Sequence, residues 1–268
     1  LSFVLLILIG LAAVVTVASI IFIIIYILVN GIPNLTTDLF SLHYNSKNQS
    51  MLPSIFNTVF ITFLTLLIAV PIGIFSAVYL VEYAKKGSKL VKVIRVTTET
   101  LAGIPSIVFG LFGFLAFVIA LGWGYSMIAG VLTLVMMVLP TIIRTTEEAL
   151  LAVPNSYREG SFGLGAGKIR TIFKIIVPTA IPGILSGVIL AIGRIVGETA
   201  ALIYTSGTVA ETATSLTDSA RTLSVHLYCL LSEGLFTNQA YATAVILLLL
   251  VVGINALSNF IAKKLAKK

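Results

Sequence analysis

Apolar residues fall along this chain in six long runs separated by polar intervals. About 20 largely apolar residues are enough to cross a bilayer as a helix, so the runs at 1–29, 54–81, 98–121, 125–143, 183–204 and 239–261 predict six membrane helices. None of the polar intervals is long enough for a separate soluble domain. The expectation is therefore a single transmembrane domain over 1–268, an all-α integral membrane bundle. One interval stands out, the polar and basic island at 147–182, because it has helix punctuation of its own. Pro154 suits a helix start, Gly163, Gly165 and Gly167 can supply a turn, and Pro178 is expected to end the helix after that turn. The pattern predicts two short helices joined at the glycines. The second, at 168–176, places Ile169, Ile172, Phe173 and Ile176 on one face and Lys168, Arg170 and Lys174 on the others.

Composition sharpens the membrane reading. Hydrophobic residues make up 58% of the chain and charged residues 10%, and the mean hydropathy is +1.11. A soluble domain carries about a quarter charged residues. Basic residues then orient the chain, because loops rich in Lys and Arg stay cytoplasmic. Lys85, Lys86, Lys89, Lys92 and Arg95 lie between the second and third runs; Arg144, Arg158, Lys168, Arg170 and Lys174 lie between the fourth and fifth; Lys263, Lys264, Lys267 and Lys268 end the chain. The opposite loops hold Lys47 and Arg221. Both termini are thus expected in the cytoplasm. Topology and anionic lipid account for the net charge of +7, and no nucleic-acid partner is implied. The chain starts at Leu1 inside an apolar run. That run is longer than the apolar core of a signal peptide, and a retained first helix is expected.

Candidate chemistry is sparse. The single Cys229 cannot form an intramolecular disulfide, and His43 and His226 have no metal-ligand spacing. Pro71 and Gly73 predict a kink in the second helix. The third helix is read as opening at Glu99, a carboxylate suited to an N-terminal turn, followed by the Gly103-Ile104-Pro105-Ser106 interruption. Gly110 and Gly113 suit close packing or backbone exposed to a cavity. In the fifth helix Arg194 and Glu198 are opposite charges four residues apart, expected to share one face. Charges at such depth usually serve a partner or a polar path, so the pair either locks helices together or offers Arg194 to a passing anion. Gly193 and Gly197 keep the flank of that face clear. The run Gly163 to Lys168 is no phosphate-binding loop: Phe162 stands where the first glycine belongs, and Ile169 where Ser or Thr would hold magnesium. The polar interval 205–238, with Glu211, Asp218, Arg221 and Glu233, is a candidate docking loop for an external binding protein.

Two stretches also carry a family likeness. Glu159-Gly160-Ser161, three residues, Gly165, nine residues and then Ile175-Ile176-Val177-Pro178 resembles the EAA loop of ABC import permeases, with Gly160 and Ser161 in place of two alanines and Val177 in place of leucine. The string GIPSIVFGLFG at 103–113 and the segment Gly193-Arg194-Ile195-Val196-Gly197-Glu198-Thr199 resemble phosphate importer permeases, and Ala200 to Gly207 is more similar to the PstA-type subunit than to the PstC-type one. The resemblance implies a six-helix bundle of the type I ABC importer permease kind. It also implies that Tyr157, Arg158, Glu159, Gly160, Ser161, Gly165 and Ala166 couple to a separate ATPase, and that Arg194 and Glu198 lie on the substrate path. ATP and magnesium then belong to the ATPase pair, with no cofactor on this chain. The other implied partners are a sister permease and an extracytoplasmic phosphate-binding protein. An ion-gradient-driven anion transporter, a permease for another oxyanion such as sulfate, and a purely structural membrane subunit remain as alternatives.

Overall fold

The computed structural model describes residues 2–85 and 87–266. Among these residues the chain is helical with no strand. Five helices are long and apolar enough to span a membrane, and a bent pair makes a sixth. In chain order the elements are α1 (Ser2–Gly31), α2 (Leu52–Val78) with a π turn over Tyr79–Tyr83, α3 (Lys89–Ala102), α4 (Ser106–Gly113) with a π turn over Phe114–Ala120, α5 (Met127–Leu151) and α6 (Asn155–Gly163). There follow α7 (Lys168–Thr171), a π turn (Ile172–Ile176), α8 (Val177–Val196), α9 (Ala200–Thr205), α10 (Leu223–Glu233) and α11 (Thr237–Ala266).

The central element is α5, against which α2, α3, α4, α8 and α9 all pack. Met127, Leu134, Met137, Val138, Ile142 and Leu150 along it are buried. In contrast α1 is exposed along most of its length, as a helix facing lipid must be when its whole circumference is apolar. Its main seat on the bundle is α11, where Tyr26 Oη lies 3.2 Å from Tyr241 Oη and Gly31 lets the two backbones approach.

Four boundaries differ from expectation. The third run is not one helix from residue 98: α3 begins at Lys89 and meets α4 at 103°. Pro105 has no N–H to give and biases Ile104 away from helical geometry, and the Lys89, Lys92 and Arg95 side chains keep α3 out of hydrocarbon. Glu99 therefore sits in the last turn of α3, where the helix dipole does not favour it, and its oxygen lies 4.0 Å from Arg144. Second, α5 continues past residue 143 to Leu151, its polar turn tied by an Arg144 to Glu148 bond of 3.0 Å. Third, Pro178 ends nothing. The helix runs from Lys168 to Val196, and the π turn just before Pro178 absorbs the hydrogen bond and the space the ring takes away. Fourth, α8 stops at Val196 and the chain restarts as α9, so 183–204 is not continuous. The helix also runs through Pro71 in α2.

Gly110 and Gly113 are packing positions. A Cβ on Gly110 would stand 2.7 Å from the Ala201 Cα, and one on Gly113 would strike Thr133. The first contact seats α9 on α4, and the second seats α4 on α5.

Candidate functional site

Two regions carry chemistry: the island after α5, and a cleft beside the end of α8. In the island, Arg158 turns inward. Its guanidinium donates to Glu82 Oε1 from Nη2 at 2.7 Å and from Nε at 3.1 Å, and to the carbonyls of Leu150 at 3.0 Å and Val153 at 2.9 Å. Those carbonyls lie at the C-terminal end of α5 and have no helical donor of their own. The Arg158 and Glu82 side chains are only 16% and 10% exposed. Arg158 thus clamps α6 onto α5 and the end of α2, while Tyr157, Glu159 and Gly160 beside it remain exposed.

The turn out of α6 explains why a glycine is needed at 165. Its φ is +79°, in the left-handed region that glycine enters without a Cβ penalty. Ala166 N–H donates to Ser161 O at 3.1 Å and Gly165 N–H to Phe162 O at 2.9 Å, the paired bonds of a Schellman cap. Ser161 is buried, with its Oγ 2.8 Å from Thr171 Oγ1, so α6 and α7 are stapled together. The expected second short helix is instead the first turn of the long helix, and its predicted apolar face divides. Ile172 and Ile176 enter the core with Leu150 and Val153, whereas Ile169 is 67% and Phe173 44% exposed. Lys168 Nζ sits 4.7 Å from the centre of the Tyr83 ring. The island is held rigidly from below and presents an outward surface with Tyr157, Phe162, Leu164 and Ile169 exposed.

The second region corrects the expected Arg194–Glu198 pair. Gly197 caps α8, and Glu198 has left the helix. Its Oε1 accepts the Ala201 N–H at 3.0 Å at the start of α9, where a carboxylate complements the helix dipole. Its carbonyl accepts Ser224 Oγ at 2.6 Å. Arg194, half-buried, stays on α8, and among the described residues no ion pair within 4.0 Å includes it. It lines a cleft of about 520 Å³ with Thr141, Ile189, Leu190, Gly193 and Asn255. A Cβ on Gly193 would meet nothing within 4 Å. The register of α8 on α5, with Gly187 against Thr145 and Gly183 against Ala149, sets Arg194 near the level of Thr141, well inside the α5 span. Sequence reading missed Asn255, although it is the first polar side chain after Thr243 in the apolar run of α11. It also missed Glu82, which no pattern singled out.

At the opposite end, the 205–238 interval is folded into the bundle more than its polarity suggested. Asn57 of α2 donates to the carbonyls of Glu211 and Arg221 and accepts the Ala213 N–H. Thr58 Oγ1 accepts the Leu223 N–H at 2.8 Å. His226 of α10 is fully buried, edge-on to Tyr44, with Arg221 Nη1 3.3 Å from its Nδ1. Burial, helped by the Arg221 charge, pushes its pKa down to about 4, so the imidazole is neutral. Exposed surface remains at 211–212, 214–217 and 231–235.

Residues 69–268 match the family described as "Binding-protein-dependent transport system inner membrane component". This chain belongs to that family. The permease is 32% identical over 277 residues to "Probable ABC transporter permease protein YqgI" of Bacillus subtilis (strain 168), covering 97% of this chain and 94% of that protein. It is 45% identical over 140 residues to "Phosphate transport system permease protein PstA 1" of Mycobacterium tuberculosis (strain CDC 1551 / Oshkosh), a match covering 52% of this chain and 45% of that relative. Among solved structures it resembles a chain of a bacterial ABC transporter involved in the import of the acidic polysaccharide alginate, with a TM-score of 0.64 at 16% identity over 86% of this chain and 84% of that one. The fold is accordingly that of type I ABC importer permeases. The permease is a multi-pass inner-membrane transport subunit rather than an enzyme. Its family works with a separate ATPase subunit and a substrate-binding protein.

Proposed function

We propose that this permease is the PstA-type subunit of an ATP-driven importer of inorganic phosphate. The observation that carries the reading is Arg194: a forked cation, half-buried inside the span, with no carboxylate within 4.0 Å among the described residues and a cleft in front of it. A charge at that depth is costly unless it serves a polar partner, and a guanidinium matches the oxygens of phosphate. The 45% identity to a protein named PstA 1 supports phosphate as the anion. Glu198 then acts by shaping the break after α8 rather than by neutralising Arg194.

In this reading 1–268 is one permease domain, and the 144–182 region is its coupling element. Tyr157, Glu159 and the exposed Leu164 and Ile169 meet the ATPase, while Arg158, Ser161, Gly165 and Ala166 give the loop its shape, with Gly160 leaving room beside Glu159. ATP and magnesium sit on the paired ATPase subunits, which face the cytoplasm together with both termini of this chain. A PstC-type sister permease completes the pathway, and an external phosphate-binding protein docks on the opposite face.

The test is phosphate uptake and phosphate-stimulated ATP hydrolysis in vesicles carrying this chain, its sister permease, ATPase and binding protein, with Arg194→Gln and Glu159→Lys alongside and sulfate as the control. Arg194→Gln is expected to stop uptake in an assembled complex, and Glu159→Lys to uncouple hydrolysis from the binding protein. Uptake that persists without the ATPase and follows an ion gradient would sink the proposal, as would full phosphate uptake by Arg194→Gln.

A further inference from the structure

Helix α3 has an outward side that the bundle does not cover. Val91 and Ile94 turn inward to the core cluster that holds Leu150, Val153 and Ile172, and Arg95 pairs with Glu147 of α5. These contacts set α3 level with the last turns of α5, at the end of the bundle that carries α6. Its neighbour α4, with the π turn that follows, is apolar from Ile107 to Ala120 and so runs in hydrocarbon. Meeting it at 103°, α3 lies along the membrane edge rather than through it. With about 3.6 residues per turn, Leu90 and Val93 fall on one side of the helix and Lys92 and Arg95 on the other, with Lys89 between Val93 and Val96. Leu90, Val93 and Val96 are each more than half exposed. Lys85, Lys89 and Lys92 are exposed as well. Among the described residues no carboxylate lies within 4.0 Å of any of the three, whereas Arg95 is taken by Glu147.

We propose that α3 is an interfacial anchor: Lys85, Lys89 and Lys92 bind the headgroups of anionic phospholipids in the leaflet at that end of the bundle, while Leu90 and Val93 insert among the acyl chains. In the orientation proposed above this is the cytoplasmic leaflet, and the inference does not depend on which anion is carried. A helix lying flat with one apolar side and lysines beside it is held by its apolar area and by attraction to anionic lipid together. Lysine stems run along apolar surface and leave the ammonium at headgroup level. Unpaired lysines gathered there favour an anionic leaflet over a zwitterionic one. An ammonium meets phosphate as a point charge without a fixed fork, so the anchor takes any anionic phospholipid rather than one headgroup. A spanning helix of another subunit laid on Leu90 and Val93 would bring apolar surface onto Lys89 and leave it without a counter-charge. Lipid is the occupant that suits both the apolar side and the cations.

The experiment is hydrogen exchange on the assembled complex in nanodiscs of phosphatidylcholine alone and of phosphatidylcholine with phosphatidylglycerol in equal parts, each at low and high salt. Amides of 89–102 are expected to exchange about tenfold more slowly in the mixed lipid, with α5 unchanged, and high salt should remove most of the difference. Phosphatidylserine in place of phosphatidylglycerol should give the same slowing. Joint substitution of Lys85→Gln, Lys89→Gln and Lys92→Gln should return the mixed-lipid rates to those in phosphatidylcholine alone. Exchange in α3 that is indifferent to the anionic lipid would overturn the proposal, and if it is equally slow in detergent micelles a protein partner covers this face instead. A slowing that survives the three substitutions, or one shared by α5, would overturn it too, because the charge or the effect then lies elsewhere. The lipid and salt comparison on the unmodified complex is decisive even if the substituted chain fails to assemble.

Discussion

Replacing Arg158 with alanine tests how α6 is held. The substitution deletes two bonds to Glu82 Oε1 and one each to the Leu150 and Val153 carbonyls. It leaves a carboxylate, 10% exposed, facing carbonyl oxygens with no cation between them. Removing one partner of a buried ion pair costs about 3–5 kcal/mol, and the residual exposure of this pair places it near the lower limit. About 3 kcal/mol corresponds to more than a hundredfold in a local opening equilibrium, at 1.36 kcal/mol per factor of ten. The loss falls on α6, because the rest of the core near Leu150 keeps Ile172, Ile176 and Val153. Hydrogen exchange on the complex in nanodiscs is expected to show amides of 155–164 exchanging at least a hundredfold faster, with α5 protection unchanged. Phosphate-stimulated hydrolysis should fall in parallel. Arg158→Met combined with Glu82→Leu should recover most of the protection, since no unpaired charge remains. Exchange in α6 within threefold of the parent, or a uniform rise over the whole chain, would refute the clamp.

Gly110→Ala forces a Cβ to within 2.7 Å of the Ala201 Cα and 3.3 Å of two carbonyl oxygens, all backbone that cannot rotate away. It should destabilise the seat of α9 by about 1–3 kcal/mol and lower the thermal midpoint in detergent, whereas Gly103→Ala, whose Cβ meets only Thr100 O at 3.5 Å, should not. His226 predicts an acid sensitivity. Its folded pKa of about 4 lies below the ordinary value near 6.5, so between these limits the unfolded segment binds a proton that the folded one refuses. Stability of the 205–238 region is then complete above about pH 6.5 and declines as pH falls towards 4, by about 3 kcal/mol at most. Exchange of α10 amides should accelerate at pH 5 relative to pH 7.5, and His226→Leu, which keeps Arg221 and Tyr44 around the site, should abolish that difference.

Much of the bundle was legible because run length decides membrane spans. The 54–81 and 239–261 runs lie within or close to helices found at Leu52–Val78 and Thr237–Ala266. Hydropathy failed where local chemistry overrode it. Thr98 to Ala102 is mild enough to join the apolar run after it, yet Pro105 turns that piece through 103°. Gly197 and the capping carboxylate of Glu198 stop α8 in a stretch whose hydropathy continues unbroken, and this separates two charges whose spacing suggested a pair. At Pro178 the error ran the other way, because the π turn that accommodates the ring involves the backbone of the whole preceding turn, which no single-residue rule anticipates. At the candidate site, Arg194 was visible as a charge among apolar residues and Gly165 as a turn glycine. Glu82 was not, because its significance depends on Arg158 reaching it across 76 positions of sequence. Asn255 was hidden for the same reason: it joins the Arg194 cleft because α11 packs on α8.

The uninterrupted helix from Lys168 to Val196 has a mechanical consequence. At about 1.5 Å per residue it is a stiff bar of roughly 40 Å, with Ile169 exposed at one tip and Arg194 two residues from the other. A tilt of about 5° around its middle moves each tip by roughly 2 Å in opposite senses, by the same geometry. That is comparable to the difference between a hydrogen bond made and one lost. In the proposed reading, work done on the ATPase side at Ile169 reaches Arg194 through this one continuous helix, as through a lever that bends at the π turn over Ile172–Ile176 and ends at the glycine break at 197.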